Sequence, residues 1–108
     1  MQEMTPKRRY NEIIELLQSG SESEAEQLCR QAVDDNGDVN FIALLGTILA
    51  RRDDLEAAES HLRRAVQIAP AYPKANEELG SVLLNRGKPE EAIPFLRKAT
   101  ELSPSSAE

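Results

Sequence analysis

The sequence predicts an all-α fold, a solenoid of three antiparallel helix pairs, and three observations lead there. The first is a recurrence. Gly46, Ala58, Leu62, Ala65 and Pro70 return 34 residues later as Gly80, Ala92, Leu96, Ala99 and Pro104. Leu45 and Leu49 return likewise as Leu79 and Leu83. A fixed period of this size marks an array in which each helix pair buries its apolar face against its neighbours. The second is a stripe of apolar residues at helical spacing: Tyr10, Ile13, Ile14 and Leu17 fall on one face. The third is punctuation, because Ser, Asp, Pro and Gly stand where helices start and stop.

Taken in order, the first helix is expected from about Thr5 to Gln18, ended by Ser19-Gly20. Ser21 to Glu24 reads as a capping box for the second helix. That helix runs to about Val33 and breaks in the turn Asp34-Asp35-Asn36-Gly37. Asp38 caps the third, which carries Phe41 to Arg51. Asp53 with Glu56 is the cap candidate for the fourth, Leu55 to Ile68. Pro70 and Pro73 bracket the next turn, and Pro73 suits the first turn of the fifth helix, where its missing N–H costs nothing. Gly87 is expected to end that helix in the left-handed conformation. Pro89 opens the sixth helix, which ends near Leu102. Pro94 falls inside it. An interior proline costs about 3 kcal/mol, less near the first turn, so the helix is expected to survive with a slight bend. The tail from Ser103 to Glu108 is polar.

The recurring residues resemble the tetratricopeptide pattern. One unit reads Ile42, Leu45-Gly46, Leu49, Ala58, Leu62, Ala65, Pro70. The next reads Leu79-Gly80, Leu83, Ala92, Leu96, Ala99, Pro104, and departs at Asn76, where a bulky apolar residue is usual and loose packing is expected. The first unit is divergent. Ala25, Cys29 and Ala32-Val33 align with the later units at an offset of 33, but the Leu-Gly pair is missing. The resemblance implies a right-handed α–α superhelix. It organises the chain as a single domain, 1–108, with repeats at about 5–37, 38–71 and 72–106.

It also implies a groove lined by the first helix of each pair. The family's groove positions fall on Asn40, Ala43, Leu44, Thr47 and Arg51 in the second unit. In the third they fall on Lys74, Glu77, Glu78, Ser81 and Asn85, with Arg9, Tyr10 and Glu12 as looser assignments in the first. A subgroup of the family clamps the acidic C-termini of heat-shock chaperones with Lys, Asn and Arg at set positions. Lys74 matches one of them, but Leu44 replaces an Asn, Glu78 replaces the Arg, and the first unit offers Tyr10 and Ile14. Such tails are therefore not expected as ligands, since an acidic or apolar substitute repels or fails to pair a carboxylate.

Composition narrows the function classes. A net charge of −6 argues against general nucleic-acid binding. Short basic runs such as Lys7-Arg8-Arg9 and Arg63-Arg64 read as solvated faces with pairs such as Glu59–Arg63. Cys29 is the single cysteine, which leaves no intrachain disulfide or multi-cysteine metal site; it takes the slot of Leu62 and Leu96 and reads as a small buried apolar residue. His61 is the single histidine, and no nucleophile–base set, phosphate loop or metal-ligand spacing accompanies it. Carboxylates adjacent in sequence, such as Glu77-Glu78 and Glu90-Glu91, point about 100° apart on a helix and do not converge. No cofactor, no metal and no enzymatic activity are expected. No long apolar segment is present, so no membrane span is expected and the cytoplasm is the default compartment.

The leading expectation is a protein-interaction module that binds a partner peptide or helix on its concave face. A second reading makes the chain a regulatory or substrate-positioning segment of a larger enzyme, for example a sulfotransferase or glycosyltransferase. A third is a homo-oligomer through the C-terminal helix, whose apolar side, Leu96 and Ala99 among others, is expected to lie uncovered. That uncovered side also suggests a chain cut from a longer protein.

Overall fold

The computed structural model describes residues 5–103. Pro104 and the rest of the polar tail lie outside the described residues. The helices are α1 (Pro6–Gln18), α2 (Glu22–Asn36), α3 (Val39–Arg51), α4 (Leu55–Ile68), α5 (Pro73–Asn85) and α6 (Pro89–Leu102). Each packs on the next in chain order, so α1–α2, α3–α4 and α5–α6 are antiparallel hairpins stacked in a row. The resulting solenoid measures 48 × 28 × 25 Å. Its core is one continuous aliphatic seam from Ile13 through Cys29, Leu45, Leu62 and Leu79 to Ala92.

The recurring glycines set the closeness of the second and third hairpins. A Cβ built on Gly46 would stand 2.7 Å from Leu62 Cγ, and one on Gly80 would stand 2.5 Å from Leu96 Cγ. Only a residue without a side chain lets the two helices cross at that distance.

The turn within each hairpin repeats as well. Gly20, Asp53 and Gly87 occupy equivalent positions and all have positive φ, at 89°, 66° and 76°. In each, the next residue's N–H reaches back five positions, Ser21 to Leu16, Asp54 to Leu49 and Lys88 to Leu83. These are Schellman bonds, which satisfy the last carbonyls of a helix when the residue after its cap turns left-handed. Asp53 is therefore the left-handed turn residue and not the cap of α4. That cap is Asp54, which accepts from Ala57 N. Asp is one of the few non-glycine residues that tolerates this conformation.

Two further expectations are corrected. Ser21 stands at the N-cap of α2 but makes no side-chain cap bond, so the capping box does not form. Its backbone N–H is already spent on the preceding turn. The second helix also runs three residues past Val33, to Asn36, and stops at left-handed Gly37. Thr5 and Asp38 cap α1 and α3 by accepting from Arg8 N and Asn40 N, and α6 continues through Pro94 to Leu102.

Asn76 does not leave a loose corner. It is 2% exposed, and its side-chain amide donates to Pro70 O at 3.1 Å and to Tyr72 O at 2.8 Å. A polar residue is tolerated inside because both bonds are made.

The Glu59–Arg63 pair is not a solvated helix face either. Glu59 is 8% exposed and accepts from Arg63 Nε at 2.8 Å, Arg86 Nη1 at 2.7 Å and Lys88 Nζ at 3.3 Å. It is covered by these long side chains, not by the aliphatic seam. Burial alone would push the carboxyl up; the three hydrogen bonds outweigh it and bring it down to about 2. An equivalent clasp joins the first two hairpins, where Glu26 pairs with Arg30 and with Arg52. Arg52 and Arg86 sit in matching turns, and Glu26 and Glu59 on matching helices. Each hairpin's turn thus reaches back to the outer helix of the hairpin before it.

At the C-terminal end, Ala99 is buried and Leu96 is half-buried against the core, contrary to the expectation that both lie uncovered. Leu96 is held by its crossing over Gly80. Among the described residues, the large apolar ones that face solvent are Ile93, Leu84 and Ile68, at 50%, 48% and 52%.

Candidate functional site

The inner helices α1, α3 and α5 meet around a cleft of about 160 Å³. Tyr10, Ile14 and Leu17 come from α1, and Ala43, Leu44, Thr47 and Arg51 from α3. Tyr72, Lys74 and Glu78 close it from the start of α5. Ala43 and Leu44 are 3% and 6% exposed, so they make its floor and offer little surface. Thr47 donates its hydroxyl to Ala43 O at 3.2 Å.

The charged rim is neutralised from within. Arg51 Nε donates to Glu22 Oε2 at 3.0 Å, from the neighbouring α2. Lys74 Nζ lies 3.2 Å from Glu78 Oε1 and 3.7 Å from Glu77 Oε1. The hydrogen bond to Glu78 is the main reason the Lys74 ammonium is held above its ordinary range. Both tyrosines are half-buried, and burial pushes their phenols up. Neighbouring Cys29 adds to this for Tyr10, and Tyr10 and Asp38 add to it for Tyr72. Both therefore stay protonated at neutral pH. Tyr10 also packs on Phe41 with ring centroids 6.0 Å apart.

The expected groove residues divide among several places. Ala43, Leu44, Thr47, Arg51, Lys74, Glu78 and Tyr10 line the one cleft. Asn40 lies beside a second hollow of about 440 Å³ with Pro6, Lys7, Tyr10, Asp38 and Phe41, so Tyr10 joins the two. Glu77 turns toward the α5–α6 end of the array, into a hollow with Leu96, Ala99 and Thr100. Ser81 and Asn85 are exposed and line neither inner hollow. Arg9 is drawn toward α2 by Asp35 at 2.7 Å, and Glu12 lies on the far side of α1 with Lys7, Arg8 and Glu15. Neither enters the cleft. Sequence reasoning missed Leu17 and Tyr72. The signal for Tyr72 was its position one residue before Pro73, at the mouth of an inner helix.

Other reactive groups are occupied. Cys29 is fully buried and donates from Sγ to Phe41 O at 3.3 Å. Burial pushes its thiol up to about 12, with a small opposing effect from Arg30, and a protonated thiol is a poor nucleophile. His61 is half-buried with Nδ1 2.9 Å from Ala57 O. Among the described residues no three His, Cys, Asp or Glu side chains are grouped to hold a metal ion, and no described helix is long and apolar enough to cross a membrane.

Charge is unevenly shared between the two layers. The outer helix α2 carries Glu22, Glu24, Glu26, Asp34 and Asp35 against Arg30 alone, while the inner helix α1 opens on Lys7, Arg8 and Arg9.

The comparisons with known proteins agree with this architecture. The chain is similar to a point mutant of the O-GlcNAc transferase of Thermobaculum terrenum, at 28% identity and a TM-score of 0.86 over 91% of this chain. It spans 19% of that enzyme. It is similar in fold to the Yersinia enterocolitica type III secretion translocator chaperone SycD, solved as an alternative dimer. There the identity is 20% and the TM-score 0.83, over 94% of this chain and 77% of SycD. It is likewise similar in fold to MamA, at 18% identity and a TM-score of 0.80, over 94% of this chain and 60% of MamA. No curated protein matches the sequence. The tetratricopeptide repeat pattern matches residues 10–73 and again 43–107, so the chain belongs to the tetratricopeptide-repeat family.

Proposed function

We propose that this chain is a protein-interaction module that receives a partner's peptide or helix on the face formed by α1, α3 and α5. The observation that carries this reading is the convergence of all three inner helices on one cleft with an apolar floor and two half-buried tyrosines. Tetratricopeptide arrays suit such a role because stacked repeats create an extended surface from rigid elements. Asn40, Ser81 and Asn85 would extend that surface beyond the cleft. Acidic chaperone C-termini are not its ligand on this reading, because Lys74 is already taken up by Glu78 and Glu77. Nucleic acid and membrane surfaces fit no better, since the cations Arg51 and Lys74 are matched by carboxylates. The experiment is capture of a partner from native extract with the whole chain as bait. Arg51→Glu or Glu78→Arg is expected to lower capture about tenfold, as loss of a central interface residue does. Arg64→Glu, on an exposed position of α4, is expected to change nothing. Equal capture by all three variants would remove the inner face from the reading.

The likeness to the transferase, at 28% identity over 19% of its length, favours a second reading in which the array is the partner-holding segment of a larger enzyme. The reading frame on either side of the chain discriminates the two. Half-exposed Ile93 on α6 and Leu84 on α5 favour self-association of the last hairpin with a second copy. Light scattering over a range of concentrations is then expected to show a dimer that Ile93→Glu converts to a monomer. A monomer at every concentration would end that idea.

A further inference from the structure

We infer that the cleft between α1, α3 and α5 recognises a peptide through a single bulky apolar side chain, with no contribution from charge steering. This rests on the reading of the inner face as the partner surface, and specifies what that partner must carry.

Size is the first support. The cleft holds about 160 Å³, close to the cavity of about 150 Å³ that admits one benzene ring in an apolar protein interior. That is room for the side chain of one Leu, Met or Phe. It is too small for two, and far below the roughly 300–1,000 Å³ of a small-molecule site. Its floor of Ile14, Leu17, Ala43 and Leu44 is aliphatic, so an inserted apolar group gains burial without leaving a polar group unpaired.

The hydroxyls are the second support. Tyr10 and Tyr72 flank the cleft, and their phenol hydroxyls, with no hydrogen bond among the described residues, remain open to water. A tyrosine offers an apolar ring with a polar tip that stays in water until a partner arrives. Two water-facing hydroxyls beside an apolar hole, near enough for Tyr10 to act on the Tyr72 phenol, suit the backbone N–H and C=O groups next to an anchor residue. They come from the first hairpin and from the segment that opens the third.

The third support is the spent charge. Each cation on the rim has its carboxylate, Arg51 with Glu22 and Lys74 with Glu78. An incoming charged peptide would have to break an existing pair to make a new one, so little net attraction remains. Binding therefore depends weakly on salt, unlike recognition by a positive groove.

The test is selection of a displayed library of random dodecapeptides against the whole chain. Enriched peptides are expected to share one Leu, Met or Phe at a fixed position. Replacing that residue by Ala should weaken binding at least tenfold. Raising salt from 50 to 500 mM should change it less than threefold. Thr47→Phe fills the cleft from α3 and is expected to abolish binding. The double variant Tyr10→Phe, Tyr72→Phe keeps the rings and the fold, checked by circular dichroism, and is expected to weaken binding several-fold. Enriched peptides that lack an apolar anchor, that dissociate at 500 mM salt or that bind Thr47→Phe equally well would overturn this inference. If those same peptides still lose affinity on Glu78→Arg, the inner-face reading survives. No enrichment at all would count against both.

Discussion

Gly46→Ala is expected to destabilise the fold by about 1–2 kcal/mol, although alanine is the better helix former. The substitution gains about 1 kcal/mol of helix propensity. Against this, the new Cβ would lie 2.7 Å from Leu62 Cγ and 3.0 Å from its Cδ2. Leu62 is fully buried in the centre of the array and has nowhere to swing, and overpacking of this kind costs about 1–3 kcal/mol or more. The loss in urea midpoint, at unchanged slope, measures it. Gly80→Ala is expected to cost less, even though its Cβ would approach Leu96 to 2.5 Å. Leu96 is half-buried on the terminal helix and can tilt outward. The mechanism has its own check. Leu62→Ala makes room, so combining it with Gly46→Ala should cost less than the two single losses added together. A Gly46→Ala protein as stable as the parent would show that the hairpin does not cross this closely.

Glu59→Gln is expected to cost about 2 kcal/mol at neutral pH, by removing the charge on which Arg63, Arg86 and Lys88 converge. The pH dependence identifies the cause. The carboxyl of Glu59 is depressed from an ordinary 4.5 to about 2. A depressed carboxylate stabilises the fold above its unfolded value, and the contribution disappears as pH falls through the folded one. The full shift would be worth about 3 kcal/mol. The shallow position and the half-exposed partner cations reduce it toward the 2 expected of the variant. Denaturant midpoints of the two proteins should therefore differ most above pH 4.5 and converge as pH approaches 2. A gap that stayed constant over that window would assign the loss to shape and not to charge.

Much of the fold was legible because a repeat states the same packing twice. Gly46, Leu62, Gly80 and Leu96 stood out as recurring positions, and the structure pairs them at the helix crossings. The prolines at 73 and 89 marked two helix starts that the structure places at those residues. The errors came where one chemistry is done by a different residue. Asp53 takes the left-handed turn that Gly20 and Gly87 take elsewhere, so its acidic side chain suggested a cap. Asn76 replaces an apolar residue yet satisfies two carbonyls through one amide group, which no propensity reveals. Glu59 looked like half of a surface pair because Arg63 lies one turn away, while Arg86 and Lys88 arrive from another hairpin. The cleft was harder still. Family positions located its middle and one side, but Tyr72 and Leu17 belong to it only because the hairpins curve, and curvature is not written in any local pattern.

The clasp that joins the hairpins also dictates their sequence of assembly. Glu26 and Glu59 each receive an arginine from the following turn, whereas the residue at the matching place on α6 is Ile93, open to solvent. The three hairpins are thus not interchangeable bricks. Exchanging the second and third would bring Ile93 against incoming guanidinium groups and strand them without a counter-charge. The molecule carries a built-in reading direction, with ionic joints between its hairpins and an exposed isoleucine at the matching place on its last outer helix.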